Sequence, residues 1–159
     1  MIIDRESFAI HDAMYIGSSE LGKTVHAKRA FEVDEKVARI TGELIADPDH
    51  GSEYCMDFDD GIVMEPHAPY RFLNHSCEPN CELVLWFDEE TGTRELCLHA
   101  IALISEHEEL TIDYGWGADS AIPCLCGSPS CRGWVVADSE LTELTAESNL
   151  TAETLSAHV

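Results

Sequence analysis

The sequence predicts a mainly β protein built of several small sheets with few short helices. Three observations carry this. Short β-rich runs recur along the chain, turn signals rich in Gly and Asp separate them, and no long amphipathic helix is evident before Asp138. A length of 159 residues and 45% hydrophobic content fit one domain with one packed core.

The elements follow in order. Residues 23–30 form a first candidate strand, and the charged turn Glu32-Val33-Asp34-Glu35 leads into a second over 37–45. A third spans 53–58, and the turn Asp59-Asp60-Gly61 returns the chain through 62–64. Pro69 introduces a helical turn over 69–73. The runs 81–87 and 94–101 flank the polar connection Asp88-Glu89-Glu90-Thr91-Gly92-Thr93, which predicts a hairpin. Residues 110–114 end the strand series. Cys55 and Cys97 lie in strand-like runs and read as core thiols, and His67 and His99 as hydrogen-bonded core histidines. From Asp138 to Val159 the chain has five acidic residues and no Lys or Arg, with much Thr, Ala and Ser. That segment is expected to be an acidic tail, a short helix or disordered.

The charge narrows the partners. Acidic residues number 31 against nine Lys and Arg, for a net charge of −22. Six of the nine bases lie between Arg5 and Arg39, and the remaining 120 residues hold 24 acidic groups. Direct binding of nucleic acid needs a basic face, and none is available. An anionic membrane surface is excluded on the same ground, and no apolar run approaches the roughly 20 residues that span a bilayer. The expected setting is intracellular: cytoplasmic, with the nucleus as the alternative. The acidic excess is either a solvated, salt-adapted surface or a field that draws in a basic partner.

Seven cysteines with no secretory signal argue against a full disulfide framework. Three are crowded as Cys124-x-Cys126-x4-Cys131. Crowded thiols in a reducing compartment point to a metal, and thiolates suit structural zinc. Zinc takes four ligands, so a fourth must come from elsewhere in the chain.

Two further segments carry the chemistry. One is Arg71-Phe72-Leu73-Asn74-His75-Ser76-Cys77-Glu78-Pro79-Asn80-Cys81, the other Glu109-Leu110-Thr111-Ile112-Asp113-Tyr114-Gly115-Trp116. Followed by the three-cysteine tail, they resemble a SET-domain protein lysine methyltransferase with a post-SET zinc motif. The resemblance covers about Ser18 to Val135. It implies a SET domain over 1–119, a post-SET zinc segment over 120–137, and a knot-like crossing of the Asn-His box with the Asp113-Tyr114 strand. It supplies Cys77 as the fourth zinc ligand beside Cys124, Cys126 and Cys131. It implies S-adenosylmethionine as cofactor and a basic protein such as a histone as substrate. Tyr114 matches the catalytic tyrosine, and Tyr54 the tyrosine lining the lysine channel. Gly22, Lys23, Thr24, Arg71, Phe72, Asn74, His75, Tyr114 and Trp134 match cofactor-binding positions.

Three positions depart from the family pattern. Thr24 replaces the second glycine of the cofactor loop, where glycine would ease close backbone approach. Ile40 stands where a tyrosine is common. Ile112 stands where Phe or Tyr is frequent, a position tied to the number of methyl groups added. Thr24 and Ile40 keep an alternative open: a module of the same fold that binds a basic peptide or the cofactor without turnover.

Overall fold

The computed structural model describes residues 13–144. Strands dominate it: β1 (Met14–Ser19), β2 (Gly22–Ala27), β3 (Lys36–Arg39), β4 (Gly42–Ile45), β5 (Met56–Asp59), β6 (Ile62–Pro66), β7 (Asn74–His75), β8 (Cys81–Phe87), β9 (Arg94–Ala100) and β10 (Thr111–Ile112). They form four small sheets, two two-stranded (β1-β2 and β10-β7) and two three-stranded (β3-β9-β8 and β4-β6-β5). The chain divides into two compact units. One comprises Met1–Asn74 with Pro79–Ile112, the other His75–Glu78 with Asp113–Val159.

In the first unit, β8 and β9 pair antiparallel from Cys81↔Ala100 to Phe87↔Arg94. Asp88 closes their connection. Its carbonyl accepts the Gly92 N–H at 2.8 Å. Its carboxylate accepts the Glu90 and Thr91 N–H groups at 2.9 and 3.3 Å. β9 is central and covered on both faces, so Leu96, Cys97 and Leu98 in sequence are all buried. Full burial of a leucine such as Leu98 contributes about 1.5–3 kcal/mol. Val25, Ala27, Phe31, Val37, Ile104 and Leu110 are among the other buried apolar residues of this unit. The β5–β6 turn places Asp60 and Gly61 at φ 46° and 77°, as a tight hairpin turn requires.

Four expectations change. β1 was not foreseen. The run 37–45 is two strands, because the chain leaves the β9 edge at Ile40 and re-forms as β4 on β6. Residues 53–55 are turn, not strand: Ser52 Oγ accepts the Tyr54 N–H at 3.1 Å and Ser52 O accepts the Cys55 N–H at 3.2 Å. Cys55 is therefore a half-buried loop thiol beside Glu65, whereas Cys97 is a core thiol. His67 is exposed, and half-buried His99 accepts the Trp86 indole N–H at 3.2 Å.

The second unit has little regular structure. Among its described residues, Val135 and Val136 are the buried apolar ones. Backbone bonds tie its strands of coil together: Cys124 N–H to Gly133 O at 2.9 Å, Val135 N–H to Ile122 O at 2.9 Å, and Ala137 N–H to Trp116 O at 2.8 Å. Short 3-10 helices occupy Ala118–Ser120 and Asp138–Glu140, and residues 141–144 continue helically. The rest of the expected tail lies outside the described residues.

Candidate active site and metal centre

The second unit gathers Cys77, Cys124, Cys126 and Cys131, their sulfurs all within 4.8 Å of one another. Backbone N–H groups point at this cluster. Arg132 N–H donates to Cys77 Sγ and Gly133 N–H to Cys131 Sγ, each at 3.4 Å. Such bonds favour thiolates, and four crowded thiolates repel each other unless a cation sits among them. Burial opposes ionisation of Cys126, but hydrogen bonds from the Cys77 backbone and from Ser128 outweigh it and bring its pKa down to about 6. The donor set and its N–H bonds fit tetrahedral zinc.

His75 links this cluster to Tyr114. Its Nδ1 accepts the Tyr114 N–H at 3.1 Å, so the ring proton sits on Nε2, which faces Cys77 Sγ at 3.4 Å. Burial holds the His75 pKa below its ordinary value, consistent with a neutral ring, although Asp113 pulls the other way. Both ring nitrogens are thus engaged inside the unit. The Tyr114 ring meets His75 edge-on at 5.4 Å and lies 5.2 Å from Trp116.

A bidentate ion pair braces the same unit. Arg132 Nη1 and Nη2 donate to the two Asp113 carboxylate oxygens at 2.8 and 2.9 Å. Partial burial would raise the Asp113 pKa, but Arg132 and the Gly115 N–H hold it below its ordinary value. Trp134 is exposed and forms a backbone bridge opposite Pro123.

The first unit assembles a different set of residues. Asn74 Nδ2 donates to Lys23 O at 3.1 Å and to Glu109 Oε1 at 2.9 Å, so both amide hydrogens are fixed. Lys23 Nζ lies 4.4 Å over the Phe72 ring. Arg71 stacks its guanidinium 4.5 Å over Tyr54 and 5.8 Å from Phe72. The sequence-predicted Lys23, Phe72 and Asn74 therefore come together, as do Arg71 and Tyr54.

Thr24 is buried, and its hydroxyl is 2.9 Å from His26 Nε2. His26 Nδ1 in turn donates to His107 O at 2.8 Å. Thr24 pairs with Gly17 across β1–β2. A Cβ at Gly17 would come within 2.9 Å of both Thr24 Oγ1 and the His26 ring. The side chain that replaces the family's glycine is thus housed inside its own sheet. Gly22 opens the same strand.

Sequence reading assigned no role to Arg132, Glu109 or the Asp113 carboxylate, and held no sign that Thr24 would be enclosed by Gly17 and His26. Arg132 left a signal, being one of only three bases after Arg39 and lying beside Cys131. Gly17 opposite Thr24 left none, because β1 was not anticipated.

The SET domain family model matches residues 3–115, well over half of the chain. The chain belongs to the SET-domain family, and its cysteine cluster is compatible with a post-SET zinc site. It is 39% identical over 93 residues to histone-lysine N-methyltransferase ash1 of Drosophila melanogaster, a match covering 55% of this chain and 4% of that protein. It is 33% identical over 111 residues to an H3 lysine-4 specific histone-lysine N-methyltransferase of Chaetomium globosum, covering 65% of this chain and 10% of the relative. The chain thus spans a tenth or less of these curated relatives. Among solved structures, KRYPTONITE in complex with mCHH DNA, an H3(1-15) peptide and SAH superimposes with a TM-score of 0.66 at 25% identity, over 77% of this chain and 29% of that one.

Proposed function

We propose that the chain is an S-adenosylmethionine-dependent protein-lysine methyltransferase acting on a basic protein, a histone or a similar Lys-rich chain. The observation that carries it is the fixed chain Tyr114–His75–Cys77, in which the candidate catalytic tyrosine is hydrogen-bonded to a histidine that faces the candidate zinc cluster. The names of the Drosophila and Chaetomium relatives and the SAH and H3 peptide held by KRYPTONITE support the same reading.

S-adenosylmethionine, when bound, supplies an electrophilic methyl group. The chain's task is then positioning. Asn74, with both amide hydrogens fixed, holds the backbone of the loop that opens β2 beside Glu109. Thr24 keeps its hydroxyl on His26 and offers the loop backbone for binding. The His75 ring is engaged with Tyr114 and Cys77, so its backbone is the part left for the cofactor. Trp134 supplies a flat apolar face for the adenine. Tyr54 lines the channel that strips water from the target lysine, which favours the neutral amine that methyl transfer needs. The Tyr114 hydroxyl orients that amine as a preorganised dipole. The four cysteines hold zinc, which fastens the segment carrying Trp134. The setting proposed is intracellular, and the acidic surface is proposed to select a basic peptide without direct contact to nucleic acid.

The test is transfer of label from S-adenosylmethionine to a mixture of basic proteins. Tyr114→Phe should lower transfer about 100-fold or more while leaving cofactor affinity within a few-fold. Undiminished transfer in that variant overturns the role of Tyr114. Cofactor binding by wild type without transfer to any basic protein supports the non-catalytic module instead.

A further inference from the structure

We propose a second metal site in the first unit, a zinc held by His50, Cys55 and Glu65. These three residues bring an imidazole nitrogen, a thiol sulfur and a carboxylate oxygen within 4.8 Å of one another, all half-buried. None belongs to the four-cysteine cluster or to the proposed catalytic set. His50 Nε2 lies 3.1 Å and Cys55 Sγ 3.2 Å from the same Glu65 oxygen, Oε2. Ligand atoms around tetrahedral zinc, at about 2.0–2.3 Å from the metal, stand roughly 3.3–3.7 Å apart. His50 and Cys55 each need to part from Glu65 by only a few tenths of an ångström to reach that spacing.

The neighbouring groups suit this use. Ser52 Oγ donates to the other carboxylate oxygen, Glu65 Oε1, at 3.0 Å and orients the carboxylate as an outer-shell partner does. Glu65 sits on β6 between two paired strands, so one ligand is rigid. His50 and Cys55 come from the loop between β4 and β5, so the metal fastens that loop to the sheet. Thiolate and imidazole together select zinc over magnesium or calcium. Three protein ligands leave a fourth position for water.

One consequence rests on the proposed function. Tyr54 precedes Cys55 and receives its backbone anchor from Ser52, so a metal on this loop would hold the channel-lining tyrosine in place. Zinc occupancy would then tune methyl transfer through Tyr54.

Zinc content per chain tests the proposal without reference to activity. The full chain is loaded with zinc, exchanged against a weak chelator, and measured by elemental analysis, with cobalt substitution to report thiolate ligation. Wild type should hold two zinc ions. The double variant His50→Ala with Cys55→Ser should hold one, and Cys124→Ser should keep the other. Glu65→Gln preserves shape and should weaken the second zinc by 10-fold or more, with circular dichroism as the fold control. One zinc in wild type that disappears in Cys124→Ser overturns the second site. So does an unchanged two-zinc content in the double variant. Absence of transfer in the methylation assay with two zinc ions bound would count against the proposed function and leave this site standing.

Discussion

Replacing Arg132 with Met should loosen the zinc segment by about 2 kcal/mol. The side chain makes two parallel charge-assisted bonds to Asp113, at 2.8 and 2.9 Å. Removing one partner of a buried pair costs about 3–5 kcal/mol, because the other charge is left uncompensated. Here the Arg132 side chain is 11% exposed but Asp113 is 35% exposed, so water takes over part of the loss. That discount brings the cost to about 2 kcal/mol. The backbone N–H of Arg132 still donates to Cys77 Sγ in the variant, so the substitution isolates the guanidinium. If the loss falls on the metal-loaded state, zinc affinity drops roughly 30-fold. Competition with a chelating dye measures this directly. Asp113→Asn should give a similar drop, and the double variant should add little further. Zinc affinity within threefold of wild type in Arg132→Met, or strictly additive losses, would refute the reasoning.

Other outcomes follow from single contacts. An added Cβ at Gly42 would come within 2.5 Å of the Glu65 carbonyl oxygen and 2.9 Å of Pro66 Cα, both backbone, so Gly42→Ala should cost about 3 kcal/mol, seen as a fall in Tm of about 6–10 °C. The Tyr70 hydroxyl is buried with no partner among the described residues, so Tyr70→Phe should be neutral or stabilise by about 1 kcal/mol in urea unfolding; a loss above that size would show that the hydroxyl is satisfied. With a net charge of −22, raising salt should weaken the apparent affinity for a Lys-rich substrate while leaving cofactor affinity nearly unchanged; salt-stimulated activity would point to a salt-adapted surface instead.

Legibility in the sequence depended on range. The β8–β9 hairpin was readable because two apolar runs flank a short polar connection, all between Cys81 and Ala100. The turn Asp60-Gly61 was readable because both positions need left-handed backbone, which Asp and Gly tolerate. β1 escaped because Met14–Ser19 is half glycine and serine and takes its order from pairing with β2. Cys55 and Tyr54 were assigned to a strand because their neighbours have β character, while the decisive factor was the Ser52 hydroxyl two residues before Tyr54. In the candidate site, the three close cysteines announced a metal, but nothing in their spacing named Cys77. That ligand came from the family resemblance, and the structure places it with the others. Arg132–Asp113 and Asn74–Glu109 join residues 19 and 35 positions apart, beyond the reach of local pattern.

The cysteine cluster also has a bearing on how the chain is made. Cys77 meets Cys124 across 47 residues, and it leaves the ribosome well before the other three ligands. Closing a loop of that length costs about 3–4 kcal/mol of chain entropy. Structural zinc binding, of order 10 kcal/mol or more, can offset it, but only once Cys131 is out. The strands of β8 and β9 pair locally and need not wait. Synthesis should therefore yield a β-folded intermediate in which Cys77 awaits its three partners, and metal capture by the four cysteines should come last, as a signal that the segment through Cys131 has been completed.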